Sequence, residues 1–193
     1  MKLPKQAGLS LIELMVTLTV VAILGTLAAP SLQTMIQNNQ VQALTNNLVG
    51  NLYLARSEAA KRGFNVTLCA SNADQTACDT AATDFGKGWI VFTDFDDNGI
   101  LTAPATRFDT NGDGLLDASE DILLVANAPK SDLLIKSNAT NPRGVTYRPT
   151  GQTSPRNFSI IISNSDETKF LSRIYFNMTG RVRSCTITSG TDC

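Results

Sequence analysis

Residues 8–14 read Gly8-Leu9-Ser10-Leu11-Ile12-Glu13-Leu14 and run without a break into LMVTLTVVAILGTLAA, an uncharged stretch over residues 14–29. As a helix, residues 9–29 would be about 30 Å long, the thickness of a hydrocarbon core, so the segment reads as a membrane span. A cleaved secretory signal would also place a basic start, here Lys2 and Lys5, before an apolar run. Two residues oppose that alternative. Pro30 would be the first residue after cleavage at Ala29, a poor context for signal peptidase. Glu13 places a charge inside the membrane-entering segment, which costs about 2.5–3.5 kcal/mol at mid-bilayer and calls for a compensating partner.

Beyond Pro30, which should kink or loosen the helix at the Thr26 carbonyl, Leu32, Met35, Ile36, Leu44, Leu48, Leu52, Ala55 and Ala59 recur at helical steps. The spacing predicts an amphipathic helix over residues 30–62, stopped by Gly63 in a left-handed conformation. The period then changes. Residues 64–70, 88–93, 122–126, 133–135, 145–148, 158–163, 171–177 and 181–188 read as short β-branched or aromatic strands between Gly, Pro, Asn and Ser. No solenoid repeat and no low-complexity linker separates helix from strands, so helix and head are expected to form one unit.

With 193 residues and 42% apolar content, the chain accommodates one head domain, 63–193, and one appendage. It has no histidine, which excludes Ser-His-Asp and Cys-His nucleophilic machinery and histidine-ligated metals, and no enzymatic activity is expected. Cys69, Cys78, Cys185 and Cys193 lack zinc-knuckle spacing and point to disulfides in an oxidising compartment. Three connectivities are open. Cys69–Cys78 with Cys185–Cys193 is favoured because each closes a loop of about ten residues, worth roughly 2.5–3 kcal/mol.

The leader and residues 8–14 resemble the class III signal of type IV prepilins. That resemblance implies cleavage by a membrane prepilin peptidase between Gly8 and Leu9, removal of the leader 1–8, and methylation of the new N-terminus. It also supplies the missing partner, since Glu13 would pair with the Leu9 ammonium of a neighbouring subunit and offset the desolvation of both charges. Residues 55–63, ARSEAAKRG, running into Val66-Thr67-Leu68-Cys69, and residues 88–94, GWIVFTD, are similar to the GspH/FimT minor-pilin group. The acidic stretch between Phe92 and Ile122 is longer than that group usually shows. The expected fold is α+β and pilin-like: a long N-terminal α-helix, transmembrane over 9–29 and amphipathic over 30–62, packed on a mostly antiparallel β-rich head. The implied place is the bacterial inner membrane, single-pass with a periplasmic head, and after assembly a pilus filament or its tip. The implied partners are other major and minor pilins or pseudopilins and the prepilin peptidase. The alternative is an H-type minor pseudopilin of a type II secretion system.

Charge divides the head. From Asp74 to Asp121 there are eleven acidic residues against Lys87 and Arg107, whereas from Arg143 to Arg183 seven basic residues face Asp166 and Glu167. In the acidic part, residues 109–120 fit a twelve-residue calcium loop. Asp109, Asn111 and Asp113 offer side-chain oxygens, Leu115 a carbonyl, Asp117 a water-mediated contact and Glu120 a bidentate carboxylate. A structural Ca2+ follows from that pattern. The competing reading is a solvated acidic turn, because no flanking helices are evident. A half-match, Asp94-Phe95-Asp96-Asp97-Asn98-Gly99, is read as an Asp-Asn-Gly hairpin turn.

In the basic part, Gly180-Arg181-Val182-Arg183 places two arginines on one face of a strand, about 7 Å apart, matching successive phosphates. It resembles the Gly-Arg-x-Arg element by which FimT-type minor pilins bind DNA in natural transformation. Lys169 and Arg173 are expected to join it, giving sequence-independent, salt-sensitive contact with double-stranded DNA. Tyr175 and Phe176 are nearby, one or both expected in the core. The bland alternative is a solvated strand face.

Overall fold

A computed structural model describes residues 10–79, 84–101, 107–109, 112, 118–127, 129, 133–138, 144–154 and 158–187. It divides into two compact units, Met1–Gln40 and Val41–Cys193. A single helix, α1 (Leu11–Arg62), runs through the division.

In the first unit, Ser10 caps α1: its Oγ accepts the Glu13 N–H at 3.3 Å, and its carbonyl accepts the Glu13 and Leu14 N–H groups. Ser10 is thus the N-cap of α1, at the S-x-x-E spacing of a capping box, which the sequence reading overlooked. α1 is long and apolar enough to cross a membrane, and its most apolar window has no buried residues. Thr17, Thr19 and Thr26 donate their hydroxyls to the Leu14, Val16 and Ile23 carbonyls at 2.8–2.9 Å, so these polar groups are satisfied within the helix, as a lipid environment requires. The helix continues through Pro30 without interruption.

In the second unit, Val41, Thr45, Leu48, Leu52, Ala55 and Ala59 are buried at three- and four-residue steps. Leu32, Met35 and Ile36, expected on the same stripe, are exposed and belong to the first unit. Gly63, with φ +77°, closes the helix as expected, its N–H donating to the Ala59 carbonyl at 3.0 Å.

Among the described residues the strands are β1 (Val66–Ala70), β2 (Gly88–Thr93), β3 (Arg107–Phe108), β4 (Ala118–Ser119), β5 (Ile122–Asn127), β6 (Leu134–Ser137), β7 (Gly144–Tyr147), β8 (Thr153–Ser154), β9 (Phe158–Ser163), β10 (Phe170–Phe176) and β11 (Val182–Thr186). They form a five-stranded sheet in the order β5-β2-β1-β7-β8, a four-stranded sheet β11-β10-β9-β6 and the pair β3-β4. Every pairing among the described residues is antiparallel. All eight expected strands are present, 88–93 and 158–163 with the expected bounds and the other six shifted by one or two residues at their ends. The three that were not foreseen, β3, β4 and β8, have two residues each, too few to display a period.

One core gathers α1, the five-stranded sheet through Leu68, Trp89, Val91 and Tyr147, and the four-stranded sheet through Ile135, Ile160, Ile162 and Ile174. β1 and β2 are buried at every residue, so the centre of the five-stranded sheet is covered on both faces, while edge strand β5 leaves Ile122 and Val125 exposed. Cys69, Cys78, Ile90 and Phe92 form a second cluster, which the Cys69–Cys78 disulfide ties together. That pairing is the expected one. Cys185 on β11 is also disulfide-bonded, while Cys193, its expected partner, lies outside the described residues.

Candidate nucleic-acid interface and acidic loop

β10 and β11 form a hairpin whose turn, residues 177–181, is fixed by side chains from three directions. Asn177 holds it internally: its Oδ1 accepts the Arg181 N–H at 2.9 Å and the Thr179 hydroxyl at 2.8 Å. Thr153 of β8 donates its hydroxyl to the Asn177 carbonyl at 2.8 Å and its N–H to the Met178 carbonyl at 3.2 Å. Arg56 of α1 donates to the Thr179 carbonyl at 3.1 Å and to the Gly180 carbonyl at 3.3 Å. Gly180 itself has φ +74°, and a Cβ there would stand 2.0 Å from the Gly151 carbonyl oxygen. The glycine of the Gly-Arg-x-Arg element is thus a packing requirement that brings the turn onto the β7–β8 connection.

From this fixed turn the two arginines leave on one side. Arg181 and Arg183 are exposed, and Val182 between them is buried, as strand alternation demands. In the ladder Tyr175 stands opposite Arg183, and Arg173 opposite Cys185. Tyr175 is therefore on the arginine side, half-buried, while Phe176 points into the core. Arg173 packs over the Tyr175 ring, its Cζ 5.5 Å from the centroid, and its Nη1 donates to the Tyr175 hydroxyl at 3.1 Å. A cleft of about 570 Å3 is lined by Tyr175, Asn177, Arg181, Arg183 and Ser184 among others.

Lys169 does not join this group. It lies in the β9–β10 turn, where its N–H donates to Asn164 Oδ1 at 2.8 Å, at the opposite end of β10 from Asn177. A seven-residue strand separates the two ends by about 20 Å, so nearness in sequence did not become nearness in space. Arg56, which holds the turn, and Tyr175, which stands opposite Arg183, were both absent from the expected set. Only the alternation of residues 173, 175, 181 and 183 hinted at Tyr175, and nothing in the sequence placed Arg56 at the turn.

The acidic region is built around Asp94, which is fully buried and accepts the Thr67 hydroxyl at 2.6 Å and the Asn98 and Gly99 N–H groups at 3.1 Å. Burial pushes the Asp94 carboxyl above the usual carboxylate range, and the neighbouring Asp96 adds to this against the hydrogen bonds from Thr67 and Gly99. Residues 94–99 therefore do not make the expected Asp-Asn-Gly hairpin turn. They wrap around a buried carboxylate, because its acceptors draw the following N–H groups inward. Glu120, also buried, accepts the Phe95 N–H at 3.2 Å. Carboxylate oxygens of Asp94, Asp96 and Glu120 lie within 4.8 Å of one another. Of the expected calcium ligands, Asp109 is exposed and accepts the Gly112 N–H at 2.7 Å. Asn111, Asp113, Leu115 and Asp117 lie outside the described residues.

Residues 44–180 match the family of the type II transport protein GspH, and residues 3–29 match the prokaryotic N-terminal methylation motif. No curated protein sequence matches the chain. Among solved structures, the type IV minor pilin FimU of Pseudomonas aeruginosa is similar at 18% identity, with 76% of this chain and 89% of that chain covered and a TM-score of 0.50. A second crystal form of FimU gives 17% identity, coverage of 74% and 90%, and a TM-score of 0.48. At such identity the likeness speaks for the fold: a long N-terminal helix on antiparallel sheets.

Proposed function

The chain belongs to the type II transport protein GspH family, as a subunit of the minor pilin and pseudopilin kind with an N-terminal methylation motif, and from that premise we propose that it is a minor type IV pilin that takes part in pilus assembly and binds double-stranded DNA for natural transformation. The observation that supports DNA binding is the placement of Arg181 and Arg183, exposed on one side of a strand that leaves a turn held by Arg56, Thr153 and Asn177. Guanidiniums presented from a rigid hairpin match the donor pattern of a phosphodiester backbone, and they read no base sequence. The N-terminal part of α1 anchors the subunit in the inner membrane in this reading, with the head in the periplasm.

The test is binding of the full-length chain, in detergent micelles, to duplex DNA over a salt series, against the Arg181→Gln/Arg183→Gln double variant. Each lost phosphate contact reduces the slope of log K against log salt by about 0.9, so the variant should bind more weakly with a slope lower by about 1.8. Equal affinity and slope in the two proteins would remove the DNA role and favour the alternative, an H-type pseudopilin of a type II secretion system, which the family description supports.

A structural calcium ion belongs to the same proposal. The twelve-residue pattern of residues 109–120 and the gathering of Glu120 with Asp94 and Asp96 support it, since three carboxylates so close repel one another unless a cation or protons intervene. Calcium in large excess over its dissociation constant should stabilise the head by about 2–3 kcal/mol, seen as a rise in Tm that a chelator reverses and that Glu120→Gln abolishes. An unchanged Tm at millimolar calcium would contradict this part of the proposal.

A further inference from the structure

Tyr175 lies in the arginine cleft, and this bears on the form of nucleic acid that the cleft accepts. Tyr175 sits directly across the ladder from Arg183, with Arg173 packed over its ring, and the cleft extends from it toward Asn177 and Arg181. Its volume of about 570 Å3 is within the range of small-ligand pockets. An aromatic ring on a sheet face, flanked by guanidiniums, is an arrangement that accepts the flat face of a base while cations hold the adjoining phosphates. In a duplex that face is covered by the neighbouring base pairs.

Resting on the nucleic-acid reading above, we propose that the cleft takes an unpaired nucleotide, its base stacked on Tyr175 and its flanking phosphates held by Arg181 and Arg183. The preferred ligand is then single-stranded DNA, or the frayed end of a duplex, over a blunt, closed duplex. Arg173 has a positioning role: packed over the ring with its Cζ 5.5 Å from the centroid, it holds the ring in place. Arg181 and Arg183 contribute to both ligands, because phosphates are present in both, whereas Tyr175 contributes only where a base is free.

The experiment compares the full-length chain in micelles with its Tyr175→Leu and Tyr175→Phe variants. The probes are a short single-stranded oligonucleotide carrying 2-aminopurine and a hairpin-closed duplex of equal phosphate count. Tyr175→Leu should weaken single-strand binding about tenfold and leave both its salt slope and duplex binding unchanged. Tyr175→Phe should retain the binding, and quenching of 2-aminopurine on binding should be lost only in the leucine variant. Thermal unfolding of each variant confirms that the hairpin is intact. Equal loss for both ligands, or no loss for either, would overturn the stacking role while leaving the Arg181 and Arg183 duplex result to stand. Absence of binding by the unmodified chain to both probes would overturn the nucleic-acid reading together with this inference.

Discussion

Replacing Gly180 by alanine is expected to destabilise the head by on the order of 3–5 kcal/mol and to abolish the proposed DNA binding although no arginine is removed. Two costs combine. A left-handed φ of +74° is strained for any residue with a Cβ, and the new methyl would meet the Gly151 carbonyl oxygen at 2.0 Å, a distance that only backbone movement relieves. Moving the turn away from Gly151 also draws the Thr179 and Gly180 carbonyls off the Arg56 guanidinium, leaving a half-buried charge with fewer partners. Gly151→Ala is the informative comparison. Its Cβ would meet the Arg56 guanidinium at 3.2 Å, and although it shares a left-handed φ of +79°, the obstacle is a side chain that can shift. Denaturant unfolding of the two variants should rank Gly180→Ala as the more damaging by at least about 1 kcal/mol. Equal stability of Gly180→Ala and the parent would show that the turn is not fixed in this way.

The second large effect concerns the N-terminus. Substitution of Gly8 by a bulky charged residue is expected to leave the membrane span in place and to block processing completely, so that the free amine of Leu9 never forms. Glu13 then lies in the apolar segment without the partner that processing supplies, a situation costing about 2.5–3.5 kcal/mol at mid-bilayer. In the proposed assembly the carboxylate gains its counter-charge from a processed neighbour. The unprocessed protein should therefore remain in the membrane fraction and be absent from sheared filaments.

Much of the fold was legible because local rules and tertiary packing agree. The uncharged run after Glu13, the left-handed stop at Gly63 and the eight longer strands each follow from a short window of residues. What escaped notice depends on partners far away in the chain. Thr45 is buried in the apolar stripe of α1 because it donates to the Ser172 hydroxyl at 3.0 Å, a pairing across 127 positions. Arg56 stood out only as part of the 55–63 stretch, yet its carbonyl partners in the β10–β11 turn lie 123 and 124 residues away. Asp94 and Glu120 belong to separate sequence motifs that the β2–β5 pairing brings to the same end of a sheet. Tyr175 and Phe176 show the limit of a period of two, since alternation puts one inside and one outside and only the ladder register decides which. Lys169 shows the converse error: a strand between two basic residues keeps them apart.

The most direct test is the mass of the mature N-terminus, determined on the chain purified from membranes of a host carrying a prepilin peptidase. The account predicts a chain that begins at Leu9 and carries one added methyl group, with the leader residues 1–8 gone. A chain that begins at Pro30 would show that the apolar run is a cleaved secretory signal, and retention of the unmodified leader would show that Gly8-Leu9 is not a processing site. Either of those results would contradict the proposal that this protein enters a filament through a processed N-terminus paired with Glu13.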